Sequence, residues 1–493
     1  MNRRSMNMAT WSAPTPTAEA LGRVHFVGIG GAGMSGIARI LLGRGAPVSG
    51  SDAKESAVLL VLRALGARVS VGHSADNLAD VDTVVVSTAI RPNNPELVAA
   101  RERGLLVLPR AVALAAVLAG RRSVAVAGTH GKTSTTSMLT VALLNCGVDP
   151  SFAIGGHLNE SGSNAHHGSG DLFIAEADES DGSFLLLSPS AAIVTNIEAD
   201  HLDNWTDLPA ITSGFERFVA TIRPGGFLVL CAEDPGARSL LGAAQDCGVR
   251  VRRYGRGDDA DLQLTDLKHD AGGTGGIIYQ ATLDGTALGR VQLHAPGEHM
   301  ALNSSAALLA GIELGLPAQA MIDGLGAYAG VHRRFEHLGT VGGVRVYDDY
   351  AHHPTEITAQ LRAARSVAGD GRLIVAFQPH LFSRTRAFAP EFGAALGAAD
   401  AVVVMAIFGS REDPIPGVSG SMVASHIPLP AEQVHFQPSW LQVAPLLASL
   451  ARPGDLVLTL GAGDIAMIGR EVLTSLAGQD ESATGMSLMD HRR

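Results

Sequence analysis

Short apolar runs alternate along this chain with longer segments in which apolar residues recur at helical spacing. Apolar runs of about four to eight residues, bounded by glycine, proline or polar residues, are typical of buried strands. They occur at 23–28, 68–71, 83–87, 105–108, 123–127, 171–178, 191–197, 226–231, 344–347, 372–377, 401–407 and 455–460. Helical runs lie at 34–42, 135–146 and 296–315, and the Gly/Asp-rich segment 255–276 predicts hairpins with loose turns. This alternation predicts an α/β fold with parallel sheets.

The order of these elements divides the 493 residues into three predicted domains. Residues 21–121 are predicted to form a Rossmann-like unit, and residues 122–330 a central α/β domain of the P-loop ATPase type. Residues 331–477 are predicted to form a small, doubly wound, Rossmann-like C-terminal domain. Residues 1–20 are expected to be a flexible leader and residues 478–493 a flexible tail.

Composition and charge narrow the class of protein. The net charge of −11 argues against nucleic-acid binding, which depends on a surplus of basic residues. No apolar run approaches the roughly 18 residues of a membrane span, and the first twenty residues lack the apolar region of a secretory signal. The cysteines, Cys146, Cys231 and Cys247, have neither disulfide nor metal spacing and predict reduced thiols. A cytoplasmic enzyme without a membrane partner is therefore expected.

The first candidate ligand site is a glycine turn after the first predicted strand. Its residues, Gly28-Ile29-Gly30-Gly31-Ala32-Gly33, match G-x-G-x-x-G, and Asp52 follows at roughly the spacing of a ribose-binding acid. The backbone N–H groups of such a turn, with the helix N-terminus behind them, favour a pyrophosphate. The pattern does not say which nucleotide carries the pyrophosphate. The alternative that the glycines serve only a tightly packed turn, with no ligand, also stays open.

A second glycine turn lies between the strand at 123–127 and the helix at 135–146. Its sequence, Gly-Thr-His-Gly-Lys-Thr-Ser from Gly128 to Ser134, predicts a phosphate-binding loop. Lys132 would neutralise the outer phosphates, and the Thr133 hydroxyl would bind Mg²⁺. Lys132 is expected to line the surface and not to belong to the core. Val126 stands where the full pattern has its first glycine, so an ordinary turn stays an alternative.

Acidic clusters follow two predicted strands that are consecutive along the central domain. Glu176 ends the first strand, and Glu198-Ala199-Asp200-His201-Leu202-Asp203 follows the second. One such cluster is often a solvated loop, but two in a phosphate-loop domain suggest a two-metal site. His201 is an unusual magnesium ligand because that ion prefers oxygen, so a structural role for it also stays open.

Polar residues also follow the strands of the third domain. The stretches are DDYAHHP (348–354), QPH (378–380) and GAGD (461–464). Doubly wound sheets bind ligands where their strands end, which makes these stretches a candidate substrate site. Adjacent side chains point apart, so His352 and His353 favour substrate contact or packing over a metal pair.

Several stretches together resemble the Mur ligases of peptidoglycan synthesis. They are HFVGIGGAGMSGIA (25–38), GTHGKTS (128–134), AEADESDGSF (175–184), TNIEADHLD (195–203), HMALN (299–303), HRRFE (332–336), DDYAHHPTEI (348–357), FQPH (377–380) and GAGD (461–464). They follow the family's order from about residue 23 to residue 470. The THGK and DDYAHHP stretches are similar to the alanine-adding branch of that family.

The resemblance implies an N-terminal domain that binds UDP-N-acetylmuramate, a central ATPase domain, and a C-terminal domain that closes over both. It implies a ligase that uses ATP and Mg²⁺ to join L-alanine to the carboxylate of UDP-N-acetylmuramate in peptidoglycan precursor synthesis. The implied route is an acyl phosphate, with release of ADP and phosphate. The implied partners are the two substrates, with no nucleic acid and no membrane, and the expected assembly is a monomer or weak dimer.

The family's functional residues carry over by position. The resemblance implies catalytic roles for Lys132, Glu176, His201 and Arg334, and metal binding by Thr133, Glu176 and His201. It implies ATP binding by Gly128, Thr129, His130, Gly131, Lys132, Thr133, Ser134, Asn303 (adenine), Arg334 and Asp349 (ribose). It implies substrate binding by Gly28, Gly30, Gly31, Gly33, Ser51, Asp52, His130, Tyr350, His352 and Arg384.

Three features depart from the family's pattern: two residues and a missing lysine. Met300 stands where related ligases often have Asn, which weakens the expected adenine contact. Leu381 stands where many have Arg, which weakens one contact to the substrate carboxylate. No lysine lies between Lys132 and Lys268 to serve as the carbamoylated metal bridge of several sister ligases. A second metal would therefore have to use His201 and acids.

Two other function classes would use some of the same residues. An NAD-dependent dehydrogenase would use the turn at 28–33 and Asp52, but it leaves the Lys132 loop and both acidic clusters unexplained. A nucleotide-sensing binding protein without catalysis is disfavoured because Lys132, Thr133, Glu176 and His201 are all retained.

Overall fold

The computed structural model describes residues 14–202, 204–270, 275–410 and 412–478. These residues form two compact units. The first unit comprises the described residues up to Asp266 together with Tyr279–Gln292 and Leu302–Ala329. The second comprises Leu267–Ile278, Leu293–Ala301 and the described residues from Gly330 onwards. Most of the predicted leader, and the predicted tail after residue 478, lie outside the described residues.

The first sheet of the first unit is a five-stranded parallel sheet in the order β3-β2-β1-β4-β5. Its elements are β1 (Val24–Val27), α1 (Ala32–Gly43), β2 (Val48–Asp52), α2 (Ala57–Ala64), β3 (Arg68–Val71), β4 (Thr83–Val86), α3 (Pro95–Glu102), β5 (Leu106–Pro109) and α4 (Arg110–Leu118). The central strands β1 and β4 are buried along their whole length, as expected for strands covered on both faces. Strand order reverses between β1 and β4, so a ligand crevice is expected where these two strands end, beside the first glycine turn.

The second sheet has ten strands in the order β15-β14-β13-β12-β11-β10-β6-β9-β7-β8. Its elements are β6 (Arg122–Ala127), α5 (Lys132–Asn145), β7 (Ser151–Ala153), β8 (Ala165–His166), β9 (Leu172–Glu176), β10 (Ala191–Val194), α6 (Leu208–Val219), β11 (Phe227–Cys231), α7 (Pro235–Ser239), α8 (Leu241–Asp246), β12 (Arg250–Gly255), β13 (Leu262–His269), β14 (Ile277–Leu283), β15 (Thr286–Leu293), α9 (Glu298–Glu313) and α10 (Ala318–Gly326). Strand β6 lies between β9 and β10 and is parallel to both. The ends of these three strands therefore meet at one edge of the sheet.

The segment 255–276 differs in part from the prediction. Residues Leu262–His269 form a regular strand, and its first residues pair in parallel with the end of β12. Leu262 and Leu264 are buried, as expected when alternate residues of a strand face the core. The sequence did not predict this strand, because the alternation is short and lies among charged residues.

The second unit contains a six-stranded sheet in the order β16-β17-β21-β18-β19-β20. Its elements are β16 (Glu336–Val341), β17 (Val344–Asp349), α11 (Pro354–Ala368), β18 (Leu373–Phe377), α12 (Phe382–Leu396), β19 (Ala401–Met405), α13 (Gly420–Ala424), β20 (Val434–Gln437), α14 (Trp440–Leu450) and β21 (Leu456–Leu460), and residues 468–478 are helical. Strands β16 and β17 form an antiparallel hairpin that the sequence did not predict, and the other pairs are parallel. Two apolar clusters pack within this domain, which confirms the doubly wound arrangement.

The three sheets agree with the predicted α/β fold class, and the domain boundaries stay a prediction, since contacts divide the described residues into two units. Among the helices that the structure describes, none has the length and apolar character needed to cross a membrane.

Candidate active site

The turn from Gly128 to Ser134 joins the fully buried end of β6 to the start of α5. Gly128 and Gly131 have φ angles of 133° and 80°, in the positive-φ region that residues with a side chain rarely adopt. A Cβ atom at Gly128 would lie 2.0 Å from the Thr195 hydroxyl oxygen, so no side chain fits there. The turn thus brings the N-terminus of α5 to the end of β6, as the prediction of a phosphate-binding loop requires.

Residues at the end of the neighbouring strand β10 hold this loop in shape. The backbone N–H of His130 donates to Asn196 Oδ1 at 2.8 Å, and the Thr195 hydroxyl donates to the His130 carbonyl at 2.6 Å. The Thr129 N–H donates to the Asn196 carbonyl at 3.0 Å. The sequence did not predict these supporting roles, because they depend on β10 lying beside β6.

Lys132 is folded back against its own loop and paired with Glu179. Its Nζ donates to the carbonyls of Gly128 (2.6 Å) and Thr129 (3.1 Å) and to Glu179 Oε1 (2.9 Å). The Lys132 side chain is 14% exposed and that of Glu179 only 3%. Lys132 is therefore half-buried: it does not belong to the core, as expected, but a buried acid of the turn after β9 draws its side chain inwards from the surface.

The Lys132–Glu179 pair has unusual proton affinities. Burial tends to lower the pKa of Lys132, but the charge and hydrogen bond of Glu179 outweigh it and raise that pKa. Burial is the largest influence on Glu179 and raises its pKa to about 7, with the charge of Asp178 adding to the rise and Lys132 opposing it. A cationic Lys132 is consistent with its three oxygen partners.

The hydroxyl of Thr133 and the carboxylate of Glu176 meet at the same edge of the sheet. Thr133 Oγ1 lies 3.0 Å from both carboxylate oxygens of Glu176, and the Gly155 N–H donates to Glu176 Oε2 at 2.7 Å. Hydroxyl and carboxylate oxygens are the ligands that Mg²⁺ prefers, so this pair fits such an ion. His201 Nε2 lies 3.6 Å from Asp200 Oδ2 and 3.7 Å from Glu179 Oε1, among acids as expected.

Asn303, which is predicted to belong to the ATP site, lies beside the phosphate loop. It is buried on α9, and its Oδ1 lies 2.6 Å from the position that a Cβ at Gly131 would occupy. The structure therefore brings Asn303 to the same loop as Lys132, and its contact with adenine remains a prediction.

The first glycine turn is shaped by the end of the neighbouring strand β2. The N–H groups of Gly28 and Ile29 donate to the Ser51 carbonyl at 2.8 and 2.9 Å, and the Gly30 N–H donates to Asp52 Oδ2 at 2.9 Å. The other Asp52 oxygen accepts the Ala53 N–H at 2.8 Å. Asp52 thus holds the turn in place through Oδ2, a role that the spacing argument did not include.

Behind this turn lies a buried polar network centred on Glu96. The fully buried Ser51 hydroxyl donates to Glu96 Oε2 at 2.6 Å, and Asn77 donates to Oε1 at 2.7 Å. His25 Nε2 lies 3.6 Å from Oε1. Burial alone would raise the pKa of Glu96, but His25, Ser51 and Asn77 together lower it to about 2. The Ser51 side chain is therefore committed to Glu96 and supports the turn from inside the domain.

In the second unit, Asp349 anchors the loop that carries Arg334. Its two carboxylate oxygens accept the N–H groups of Phe335 and Ala351, each at 2.7 Å. Arg333 and Phe335, on either side of Arg334, have φ angles of 61° and 49°, a strained conformation for such residues. Burial raises the pKa of Asp349 to about 6, although Arg334 opposes the rise. Asp349 is only 3% exposed, and its predicted contact with ribose is untested.

The predicted substrate residues of the second unit lie close together. The rings of Tyr350 and His352 are 5.3 Å apart, and those of His352 and His380 are 5.8 Å apart. Arg384 Nη1 lies 3.4 Å from His380 Nδ1. The guanidinium of Arg334 lies 5.2 Å from the centre of the Tyr350 ring. These side chains form one aromatic and cationic cluster at the carboxyl ends of β17 and β18.

Neighbouring positions have structural roles. His353 Nδ1 accepts the Thr355 N–H at 3.4 Å and caps α11, so the two adjacent histidines do not act as a pair. The two residues that depart from the family pattern, Met300 and Leu381, are buried, and Leu381 has a φ of 69° at the start of α12.

Comparisons with known proteins agree with this architecture. Models of the Mur ligase family match three successive parts of the chain: the family's catalytic domain at 23–122, its middle domain at 126–311 and its glutamate ligase domain at 333–463. The chain belongs to the Mur ligase family.

Among its relatives, the chain is 60% identical to a UDP-N-acetylmuramate–L-alanine ligase of Saccharopolyspora erythraea, over 92% of this chain and 94% of that protein. It is 58% identical to the ligase of the same name from Acidothermus cellulolyticus, over 93% of this chain and 96% of that protein. A crystal structure of UDP-N-acetylmuramate-alanine ligase from Thermotoga maritima is 29% identical, covers 93% of this chain and 99% of its own, and superposes with a TM-score of 0.77.

Proposed function

We propose that this chain is an ATP-dependent ligase that joins L-alanine to the carboxylate of UDP-N-acetylmuramate, releasing ADP and phosphate. The observation that carries the proposal is the phosphate loop, in which Lys132 and the Thr133–Glu176 pair lie at one sheet edge. A separate glycine turn, at Gly28 to Gly33, offers a second anion site in the same compact unit. Two anion sites suit an enzyme that transfers a phosphoryl group from one bound molecule to another. The high identity to ligases of that name supports the choice of substrates.

The chemistry follows from the substrate carboxylate, which is a poor acyl donor because its leaving group would be oxide. A carboxylate oxygen attacks the γ-phosphorus of ATP, the bond to ADP breaks, and an acyl phosphate forms. The amine of L-alanine then attacks the acyl carbon, and inorganic phosphate leaves. The protein's task is to position these groups and to offset the repulsion between two anions.

The residues of the phosphate loop have separate roles in this scheme. The N–H groups at the start of α5 would hold the ATP phosphates, with Gly128, Thr129 and His130 forming the turn that places them. Lys132 would exchange its loop carbonyls and Glu179 for phosphate oxygens. Thr133, Glu176 and His201 would hold Mg²⁺, which supplies positive charge that neutralises the phosphates. Asn303 would lie near the nucleotide, with Asp349 contacting the ribose of ATP and Arg334 facing the transferring phosphoryl group.

The remaining predicted residues would bind the substrates. The turn at Gly28, Gly30, Gly31 and Gly33 would hold the pyrophosphate of UDP-N-acetylmuramate, with Ser51 and Asp52 shaping the turn. The cluster of Tyr350, His352 and Arg384 would face the muramoyl group, and His130 would contact it from the loop. We expect the reaction to take place in the cytoplasm, where ATP and UDP-sugars are made, by a monomer or weak dimer.

Phosphate release tests the proposal directly. Purified protein with ATP, Mg²⁺ and UDP-N-acetylmuramate should release phosphate rapidly when L-alanine is added, and little without it. Varying the amino acid one at a time would define the specificity. A dehydrogenase would instead change nicotinamide absorbance, and a pure nucleotide sensor would bind ATP without releasing phosphate on addition of both substrates.

A further inference from the structure

The side chain of Arg110 lies against the first glycine turn. Arg110 is the first residue of α4, and its Nη1 lies 2.7 Å from the position that a Cβ at Gly33 would occupy. Gly33 lies in the first turn of α1, where a helix N-terminus favours anions. A side chain at position 33 would displace the guanidinium, so the glycine leaves room for Arg110 beside the turn.

The other side of the same guanidinium contacts the acidic turn after β9. Arg110 Nη2 lies 3.2 Å from Asp178 Oδ2, and the other Asp178 oxygen accepts the Ser180 N–H at 3.0 Å. Asp178 is two residues beyond Glu176, the acid that meets the Thr133 hydroxyl. Within the described part of the chain, Nη1 of Arg110 has no hydrogen-bond acceptor, and the side chain is 24% exposed.

A small recess connects these groups. Its lining includes Arg110, Glu176 and Asp178, with an apolar wall formed by α4 and the turn at 183–187. The recess therefore runs from the arginine beside the pyrophosphate turn to the acid of the ATP site. A substrate bound at the turn must bring its carboxylate towards Glu176 to meet ATP.

We propose that Arg110 is a substrate-binding residue whose Nη1 binds an acidic group of the UDP-sugar while Asp178 holds Nη2. This inference rests on the proposed function. The acidic group is either the pyrophosphate or the lactyl carboxylate, both of which suit the planar guanidinium fork. Asp178 is then a positioning residue, because it fixes the orientation of the guanidinium without contacting the substrate.

The test measures the binding of three ligands to Arg110→Met, Arg110→Lys and wild-type protein by calorimetry. The ligands are UDP-N-acetylmuramate, UDP-N-acetylglucosamine, which lacks the lactyl carboxylate, and UDP. Arg110→Met should weaken binding of UDP-N-acetylmuramate on the order of tenfold to a hundredfold, the effect of losing a charge-assisted hydrogen bond. The affinity of Arg110→Lys for UDP-N-acetylmuramate should lie between those of wild type and Arg110→Met, because lysine keeps the charge but lacks the planar guanidinium fork. Affinity for ATP should change little in either variant.

The three ligands identify the acidic group. Weaker binding of all three supports the pyrophosphate, and weaker binding of UDP-N-acetylmuramate alone supports the lactyl carboxylate. The matched control is Arg63→Met, which removes a half-buried arginine of α2 in the same domain that is paired with Glu55 at 2.8 Å. Its affinities should match those of wild type.

Two results overturn the assignment of Arg110, and a third overturns the proposed function. If Arg110→Lys, folded as judged by its melting temperature, binds all three ligands as wild type does, Arg110 is only a structural partner of Asp178. The same conclusion follows if Arg110→Met and Arg63→Met behave alike. If wild-type protein binds no UDP-sugar and releases no phosphate, the proposed function itself fails.

Discussion

Replacing Lys132 by methionine should separate its part in catalysis from its part in stability. The catalytic expectation is a loss of ligation by roughly 10²–10³-fold, equivalent to about 2.7–4 kcal/mol, by analogy with the removal of one donor to a developing charge. The structural expectation is different, because the substitution also leaves Glu179, which is 2% exposed, without its cation.

The size of the stability loss should depend on pH. Removing one partner of a buried ion pair costs about 3–5 kcal/mol when the other stays charged. The pKa of Glu179 is raised from 4.5 to about 7 in the intact pair, and without Lys132 it should rise further. A folded state that binds a proton more tightly than the unfolded state loses stability as pH rises from the unfolded pKa through the folded one. The variant should therefore melt close to wild type at pH 6 and well below it at pH 8.5.

A second substitution provides the control. Glu179→Gln in the Lys132→Met background removes the unpaired charge and should restore much of the melting temperature at pH 8.5. It should not restore phosphate release, because no cation faces the γ-phosphate. If the double variant regains activity, Lys132 serves only to neutralise Glu179. If Lys132→Met alone keeps activity within about threefold of wild type, well below the expected loss, the phosphate-loop assignment is wrong.

Three further variants test other parts of the account. Arg334→Lys should lower kcat more than ATP affinity, because lysine loses the fork that two phosphoryl oxygens would share; a large loss of ATP affinity with unchanged kcat would make Arg334 a ground-state binder. Glu96→Gln should lower stability at neutral pH on the order of 3 kcal/mol, because the folded pKa of this fully buried acid is about 2 against 4.5 unfolded. The melting temperature of Glu96→Gln should approach that of wild type as pH falls from 4.5 towards 2. A difference in melting temperature that does not change with pH would refute the negative charge assigned to Glu96. Thr133→Val should raise the Mg²⁺ concentration needed for half-maximal phosphate release, and an unchanged requirement would remove Thr133 from the metal site.

The strands and the phosphate loop were largely readable from the sequence. Central strands of parallel sheets are continuous apolar runs, so β6, β10 and β18 stood out, and the glycines of the turn at 128–134 marked the loop. The proximity of Thr133 and Glu176 could also be predicted. Glu176 ends one strand, Thr133 follows another, and the carboxyl ends of parallel strands lie at the same edge of a sheet.

What the sequence could not supply was the order of strands and the contacts that this order creates. Glu179 reaches Lys132 because β9 lies beside β6. The sequence of the turn after β9 indicates only that its residues are polar, and it does not identify Lys132 as the partner of Glu179. Ser51 and Asp52 shape the first glycine turn because β2 lies beside β1. The strand β16 was missed because only its pairing with β17, and no apolar run, identifies it.

The central claim, direct transfer of phosphate from ATP to the substrate carboxylate, is tested by an isotopic measurement. The lactyl carboxylate of UDP-N-acetylmuramate is labelled with heavy oxygen, and one turnover is run with ATP and L-alanine. An acyl phosphate carries one carboxylate oxygen into the inorganic phosphate that leaves, so mass spectrometry should find phosphate with one labelled oxygen. Unlabelled phosphate, or label in AMP, would mean that the carboxylate is activated by another route.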